Sequence, residues 1–249
     1  MSEIECVREG DVAIIRLNRP EVLNAQTPQM WSELAALGDE FAESARAVVL
    51  TGSGDNFSAG LDRRMFSAEG IPGSPSLLTL AQMSDEDVLR AIAEFQEAFT
   101  IWHDAPFVSV AAVEGHAIGA GFQLALACDV IIAGRSASFA MKEVSWGLVP
   151  DLAGTAPLTD RLGQTRALSV CLSGATISVE EPGLVNHVVE DGTALANAQQ
   201  YAEGLPETAL SREMKGLIRA YGHEERVAQR ERERRAQLRR IRSLAKAMS

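Results

Sequence analysis

The segment AVEGHAIGAGFQLALACDV, residues 112–130, contains an apolar stretch, a glycine-bearing loop and a second apolar stretch. Gly119, Ala120 and Gly121 begin the second stretch, and a single amide, Gln123, lies just inside it. Glycine lets a ligand approach the main chain, and a helix N-terminus offers unpaired N–H groups with a partial positive charge. The segment therefore predicts a strand, a loop and a helix, with a loop that can hold an anion or a developing oxyanion.

The sequence around this segment alternates between strand and helix patterns, which is typical of an α/β protein. Thr27 followed by Pro28 marks one helix start, and the acids after Ser84 mark another. An apolar stripe follows Ser84 at helical spacing and is interpreted as core. After Gly154 the pattern is mostly helical. The predicted strands are 12–20, 45–52, 107–115 and 130–134, and the predicted helices are 27–44, one from Ser84, and 121–128.

A second glycine-bearing loop follows the strand at 45–52, in VVLTGSGDNFSAGLD, residues 48–62. Like the first loop, it combines a strand end, a glycine and a helix start. Each loop alone is weak support for an oxyanion site, because most such turns only reverse the chain. The stretch from Ser67 to Ser76 is rich in Gly, Pro and Ser and predicts a surface excursion.

Composition limits the classes of partner. The chain has 249 residues and a formal net charge of −11, which argues against a nucleic acid or an anionic membrane as the main partner. Its three cysteines, Cys6, Cys128 and Cys171, are far apart and favour neither a disulfide framework nor a zinc knuckle. The opening MSEIECVREGD lacks a signal-peptide pattern, and no apolar run has membrane-spanning length. We expect a cytoplasmic protein that binds a small molecule or another protein.

The residue spacing in this chain does not match other functional motifs. GHAIGAG is not the GxGxxG of dinucleotide-binding proteins, and the chain has no GxxxxGK[ST] phosphate loop. Ser58 lies in NFSAG rather than in a GxSxG nucleophile elbow. The four histidines are scattered, so no metal site is predicted.

The C-terminal stretch from His223 to Ser249 is basic, with eight Arg, one Lys and four Glu. It predicts a solvated helix carrying Glu/Arg pairs. Two alternatives are phosphate binding and contact with an acidic neighbouring subunit.

Four motifs, in this order and spacing, resemble the crotonase superfamily, the enoyl-CoA hydratase/isomerase group. They are LNRPEVLNA (17–25), FSAGLD (57–62), residues 112–130 and FAMKEVSWGLVP (139–150). The resemblance covers about residues 5–190. It implies a spiral of repeated ββα units over 1–190, a C-terminal helical region over 191–249, and a homotrimer or hexamer. It also implies an acyl-CoA substrate, with coenzyme A as part of that substrate and no separate cofactor.

The resemblance also implies site residues. The backbone N–H groups of Leu61 and Ala120 match the pair that holds the thioester oxygen in this family. A looser correspondence implies that residues near the CoA path are Val22, Asn24, Ala25, Ala59, Gly60, Asp62, Arg63 and Gly119.

The catalytic acids depart from the family pattern. Glu143 matches the second of the two glutamates that handle water in the hydratases, whereas the first position is Gln123. Gln can orient a substrate but cannot exchange a proton at neutral pH. Family isomerases use the single acid at the Glu143 position, so the resemblance favours double-bond isomerisation over efficient hydration.

Three alternatives stay open: a hydratase acting with one acid, a non-catalytic acyl-CoA-binding protein, and a serine hydrolase, for which no Ser/His/Asp set can be placed. A further departure is EEPGLV (180–185), shortened by about one helical turn beside the expected subunit interface.

Overall fold

The computed structural model describes residues 2–248, and only the backbone of 247 and 248. A six-stranded sheet forms its centre. Its strands are β1 (Ile4–Glu9), β2 (Val12–Leu17), β3 (Ala47–Gly52), β4 (Val108–Val113), β6 (Val130–Gly134) and β9 (His187–Val189). They lie in the order β1-β2-β3-β4-β6-β9. Strand β1 is antiparallel to β2, and the remaining neighbours are parallel.

A smaller sheet in the order β5-β7-β8 contains the short strands β5 (His116–Ile118), β7 (Ser138–Ala140) and β8 (Ile177–Ser178). Each of the first two follows a strand of the large sheet and precedes a helix. The helices are α1 (Pro28–Ala42), α2 (Leu77–Leu80), α3 (Asp85–Asp104), α4 (Ala120–Ala127), α5 (Thr155–Ser173), α6 (Ala194–Glu203), α7 (Thr208–Ala220) and α8 (His223–Met248). Thus β4-β5-α4 and β6-β7-α5 are two ββα repeats, and the expected crotonase-like fold is confirmed.

Both faces of the large sheet are covered, which explains why β2, β3, β4 and β6 are nearly continuous apolar runs. The main core packs one face against α1, α3 and α4. On the other face, Ala194, Ala198 and Ala202 of α6 pack against strand residues such as Val49 and Val110. The division of the chain at residue 190 stays a prediction.

Local capping explains where the predicted helices begin. Thr27 accepts a hydrogen bond from Met30 N at 3.2 Å, and Ser84 accepts one from Asp87 N at 3.1 Å. The stripe of α3 is buried as expected at Val88, Ile92, Phe99 and Trp102. Two of its members, Ile92 and Phe95, also line a cavity.

The basic C-terminal stretch forms α8, which differs in part from the solvated helix that its composition predicts. Glu231 pairs with Arg234 and Arg235 on the helix itself, as predicted. However, Glu233, Gln237 and Ile241 are buried against the protein's own body. These three positions are four residues apart, so they form one face of the helix.

Candidate active site

The two glycine-bearing loops lie side by side. Ser58 N donates to His116 O at 2.8 Å, and Ile118 N donates to Ser58 O at 2.9 Å, which makes a short parallel bridge between the loops. Gly60 has a φ of +88°, and a Cβ there would lie 2.4 Å from Ile118 O. Only glycine permits both this backbone conformation and this close approach.

The contact leaves two backbone donors free. Leu61 lies in a short bridge to Gln26, in which Gln26 N donates to Gly60 O and Asp62 N donates to Gln26 O. Neither hydrogen bond uses the N–H of Leu61. Ala120 is the first residue of α4, so its N–H has no partner within the helix. Across residues 2–248, neither N–H donates a hydrogen bond. The Cβ position of Gly60 is 3.3 Å from Ala120 N, so the donors belong to adjoining loops.

Leu61 and Ala120 both line one cavity of about 520 Å³, a volume within the usual range for small-molecule sites. Its lining is mostly apolar, and polar or charged residues lie at ten of its 26 positions. The apolar lining includes Trp31, Leu61, Met65, Phe66, Leu77, Leu80, Ile92, Phe95, Trp146, Leu148, Leu152 and Ile241.

Glu143 lies beside the glycine loop, at the start of a 3₁₀ turn over Glu143–Trp146. A Cβ added at Gly119 would be 3.4 Å from its Oε1. Its Oε1 accepts a hydrogen bond from Gln123 Nε2 at 2.7 Å, while its Oε2 is buried without a partner among the described residues. Burial raises the pKa of Glu143 to about 7, close to the value at which a group can act as both acid and base near neutrality.

Gln123 is a buried amide held at both ends. Its Nε2 donates to Glu143, and its Oε1 accepts from Leu152 N at 3.0 Å. Gly154 leaves the space that this side chain fills, since a Cβ at Gly154 would lie 2.6 Å from Gln123 Cγ. The hydrogen bonds fix the orientation of the amide, so Gln123 presents an N–H to the glutamate.

A second carboxyl, Asp151, also lines the cavity, and the sequence analysis missed it. Burial raises the pKa of Asp151 well above its usual range, and the charges of Glu143 and Glu233 raise it further. A hydrogen bond with the Gln237 side chain opposes this shift. One sequence feature could have indicated this position: Asp151 is an acid within the otherwise apolar run Leu148–Leu152.

The loop that carries Asp151 is held by polar side chains from α3 and α8. Gln96 of α3 donates its Nε2 to Asp151 O at 2.7 Å. Gln237 of α8 accepts a hydrogen bond from Val149 N at 3.2 Å. Residues of the last helix thus help to position the site.

Glu233, one helical turn earlier on α8, holds the end of the same loop. Its Oε2 accepts from Ala153 N at 2.8 Å and its Oε1 accepts from Thr155 N at 3.0 Å. Burial raises the pKa of Glu233 to about 7 although these hydrogen bonds oppose the shift. No motif singled out Glu233, because it lies among alternating charges that resemble a solvated helix face.

The predicted CoA-path residues divide into two groups. Ala59, Arg63 and Gly119 line the cavity together with the two donors. Val22, Asn24, Ala25, Gly60 and Asp62 do not.

The side chains of two residues outside the cavity form hydrogen bonds within the protein. The buried amide of Asn24 donates to Ser53 O and Asn56 O at 2.9 and 2.7 Å. Asp62 accepts from Arg19 at 2.9 Å and from Arg64 at 2.8 Å. The hydrogen bonds with Arg64 and Arg19 lower the pKa of Asp62 despite its burial. These side chains therefore stabilise the loop, and a role in CoA binding stays a prediction.

The mouth of the cavity is lined by exposed polar residues, including Arg63, His116, Ser145 and Thr176. The Arg63 guanidinium lies 5.9 Å from the centre of the Trp146 ring. A cation at the mouth suits a ligand whose exposed part is negatively charged.

Among the described residues, no helix has the length and apolarity needed to cross a membrane. Residues 2–248 likewise contain no group of three or more His, Cys, Asp or Glu side chains placed to hold a metal ion.

Comparison with known proteins gives consistent matches. The family model described as "Enoyl-CoA hydratase/isomerase" matches residues 7–247. A relative from Rhodobacter capsulatus, "Probable enoyl-CoA hydratase", is 39% identical over 188 residues, which cover 74% of this chain and 67% of that protein. The "1,2-epoxyphenylacetyl-CoA isomerase" of Escherichia coli is 34% identical over 202 residues, covering 79% and 73% of the two chains.

Among solved structures, a Thermobifida fusca YX protein assigned as an enoyl-CoA hydratase, in complex with acetoacetyl-CoA, is similar. The TM-score is 0.83 at 38% identity, over 99% of this chain and 95% of that one. A complex with CoA from the same organism gives a TM-score of 0.82 at 41% identity, over 98% and 95%.

Proposed function

The chain belongs to the enoyl-CoA hydratase/isomerase family, and from this premise we propose that it binds an acyl-CoA thioester and catalyses double-bond isomerisation through an enolate. The observation that carries the proposal is the pair of free N–H groups, of Leu61 and Ala120, on the wall that also holds Glu143. Structural neighbours that contain acetoacetyl-CoA and CoA support the ligand class.

The two donors act on the thioester oxygen. Removal of a proton from the carbon next to the thioester places negative charge on that oxygen. Donors fixed by the backbone need no rearrangement as the charge develops, and each is typically worth about 10²–10³ in rate. Because Leu61 and Ala120 contribute main-chain atoms, their side chains matter mainly through size.

Glu143 supplies the proton transfers. In its ionised form the carboxylate takes a proton from C2 of a 3-enoyl thioester, and the C–H electron pair becomes part of a dienolate. Return of a proton from Glu143 to C4 moves the double bond to the C2–C3 position. One carboxyl therefore completes the reaction without water, which suits a site whose first acid position is the amide of Gln123.

Hydration is a second candidate function, and the presence of Asp151 in the cavity supports it. Hydration needs one group to activate water and another to deliver a proton. Asp151 shares the cavity with Glu143, and its raised pKa favours the protonated form. Whether isomerisation or hydration dominates depends on how near Asp151 comes to the bound thioester.

We also propose that the protein forms a homotrimer or hexamer. Large apolar side chains exposed on α5 and α7 support self-association; they include Leu168, Leu172, Leu210, Leu217 and Ile218. Light scattering at micromolar concentration tests this, and a monomer would refute it.

Parallel assays of isomerisation, hydration and CoA binding test the proposed function. A panel of 2-enoyl-CoA and 3-enoyl-CoA thioesters should show isomerisation faster than hydration. Binding without turnover of any thioester would indicate a non-catalytic acyl-CoA-binding protein instead. Failure to bind any CoA thioester would refute both.

A further inference from the structure

The cavity has a polar mouth and an apolar interior. Exposed polar residues such as Arg63, His116 and Thr176 line the mouth, where the charged part of a CoA thioester stays in water. If the thioester oxygen binds at Leu61 and Ala120, the acyl chain must extend away from the mouth. It then enters the part of the cavity formed by buried apolar side chains.

Four of the buried apolar lining residues pack together, and we call them the end wall: Leu80 of α2, Ile92 of α3, Leu148, and Ile241 of α8. All four are buried, line the cavity and belong to one apolar cluster that is separate from the main core. The same cluster contains Val88 of α3, which is fully buried but does not line the cavity.

The wall is held in place by α8. Arg242, the residue after Ile241, donates to Met83 O at 2.6 Å and to Asp85 Oδ1 at 2.7 Å, and it also donates to Ala81 O. These bonds join α8 to the segment that links α2 to α3. Ile241 therefore lies on a helix that is anchored, at the next residue, to the segment between α2 and α3.

The charged groups that line the cavity argue against a substrate whose acyl chain ends in a carboxylate. The basic side chains among the cavity-lining residues are Arg63, His116 and Lys142. Arg63 and His116 are at the exposed mouth, and the Lys142 Nζ donates to Gly174 O at 2.5 Å. The titratable side chain from the loop between Leu148 and Leu152 is the carboxyl of Asp151, which offers no positive charge, so burying a terminal carboxylate there would carry an uncompensated desolvation cost.

We propose that the end wall limits the length of the acyl group, with Ile241 as the specificity-determining residue, and that the substrate carries an uncharged, apolar acyl chain. This inference rests on the proposed function, because it requires that a CoA thioester binds with its oxygen at the two backbone donors.

Binding of saturated straight-chain acyl-CoAs tests the inference without requiring turnover. Isothermal titration calorimetry over a series of chain lengths should show affinity rising to a limit and then falling in the wild type. Ile241→Ala removes three carbons from the wall, and we expect the limit to move by about two carbons. Each added methylene that reaches apolar surroundings is worth about fourfold in affinity, so an acyl chain one methylene beyond the wild-type limit should gain about fourfold and a chain two methylenes beyond it about 16-fold.

Two further variants at position 241 should shift the chain-length limit by graded amounts. Ile241→Val should move the limit in the same direction by less, and Ile241→Phe should shorten it. An acyl-CoA with a terminal carboxylate should bind more weakly than the uncharged chain of equal length.

Val88→Ala is the matched control, because it also removes methyl groups from the same buried cluster without opening the cavity. It should reduce thermal stability like Ile241→Ala but leave the chain-length limit unchanged. An unchanged limit in the folded Ile241 variants, with acyl-CoA still bound, would overturn the inference and leave the proposed function intact. Absence of acyl-CoA binding to the wild type would overturn both.

Discussion

Replacing Gln123 by Glu converts the amide and carboxyl pair of this site into two carboxyls. The wild-type hydrogen bond from Gln123 Nε2 to Glu143 Oε1 is 2.7 Å long. In the Gln123→Glu variant two carboxylate oxygens would meet at this separation. At an effective dielectric constant of about 20, two unit charges that close repel by about 6 kcal/mol. The pair should therefore keep one shared proton through neutral pH.

A pair with one proton can activate water with one carboxyl and deliver a proton with the other. The other oxygen at position 123 can still accept the hydrogen bond from Leu152 N, so the loop should keep its position. We expect hydratase activity at least about tenfold above wild type, a low estimate within the range for general acid–base catalysis because supporting groups are not optimised.

The assay follows hydration of a short 2-enoyl-CoA by both proteins at equal concentration, after circular dichroism has verified folding. Gln123→Met is the control, since it removes the amide without adding a carboxyl and should gain no hydratase activity. Efficient hydration by the wild type, with no gain in Gln123→Glu, would refute the reasoning. The second acid would then be Asp151, and Asp151→Asn should abolish the hydration.

Three other predictions follow from the same geometry. Glu143→Gln should keep acyl-CoA binding, because the donors are main-chain atoms, and should lower turnover by about 10²–10⁴; an unchanged rate would remove Glu143 from the mechanism. Because the base must be ionised, kcat/KM for isomerisation should rise with pH through about 7, the pKa that burial gives Glu143, and a flat profile from pH 5 to 9 would contradict this role. Gly154→Ala places a Cβ 2.6 Å from Gln123 Cγ and should destabilise the fold by about 1–3 kcal/mol and slow isomerisation, which thermal denaturation and activity assays measure.

The stability of the protein should also depend on pH through Glu233. Burial raises the pKa of Glu233 to about 7, so the folded state holds a proton that the unfolded chain releases near pH 4. Its contribution is therefore fully present at low pH and is lost as the pH rises through about 7. The free energy of unfolding of the wild type should fall as the pH rises from 5 to 8. Urea denaturation should show a smaller fall in Glu233→Gln. An identical pH dependence in both proteins would contradict this.

Periodicity and capping predicted the main elements of the fold because those signals are local. The predicted helix over 27–44 is Pro28–Ala42, and the predicted strand over 130–134 is Val130–Gly134. The short strands β5, β7, β8 and β9 were not predicted, because two or three residues are too few to show an alternating pattern. The edge strand β1 was not predicted either, because five of its six residues are exposed and it has no apolar run. Their pairing depends on contacts between distant parts of the chain.

The sequence likewise indicated only some residues of the candidate site. Motif resemblance brought Leu61, Ala120, Gln123 and Glu143 into consideration, and the structure brings all four to one cavity. Their catalytic roles remain predictions. The sequence shows Asp151 only as an acid within an apolar run. Its place in the site, like that of the α8 residues, arises only when the last helix packs over the loop at 149–155. A charge-rich helix pattern gives no indication of which acid will be buried.

A crystal structure with a non-reacting acyl-CoA thioester would show whether Leu61 and Ala120 bind the thioester oxygen. We expect this oxygen to lie about 2.7–3.1 Å from both Leu61 N and Ala120 N, with the acyl carbons beside Glu143. A thioester oxygen that contacts neither N–H, for example one bound at the His116 side chain of the cavity mouth, would contradict the proposed oxyanion site.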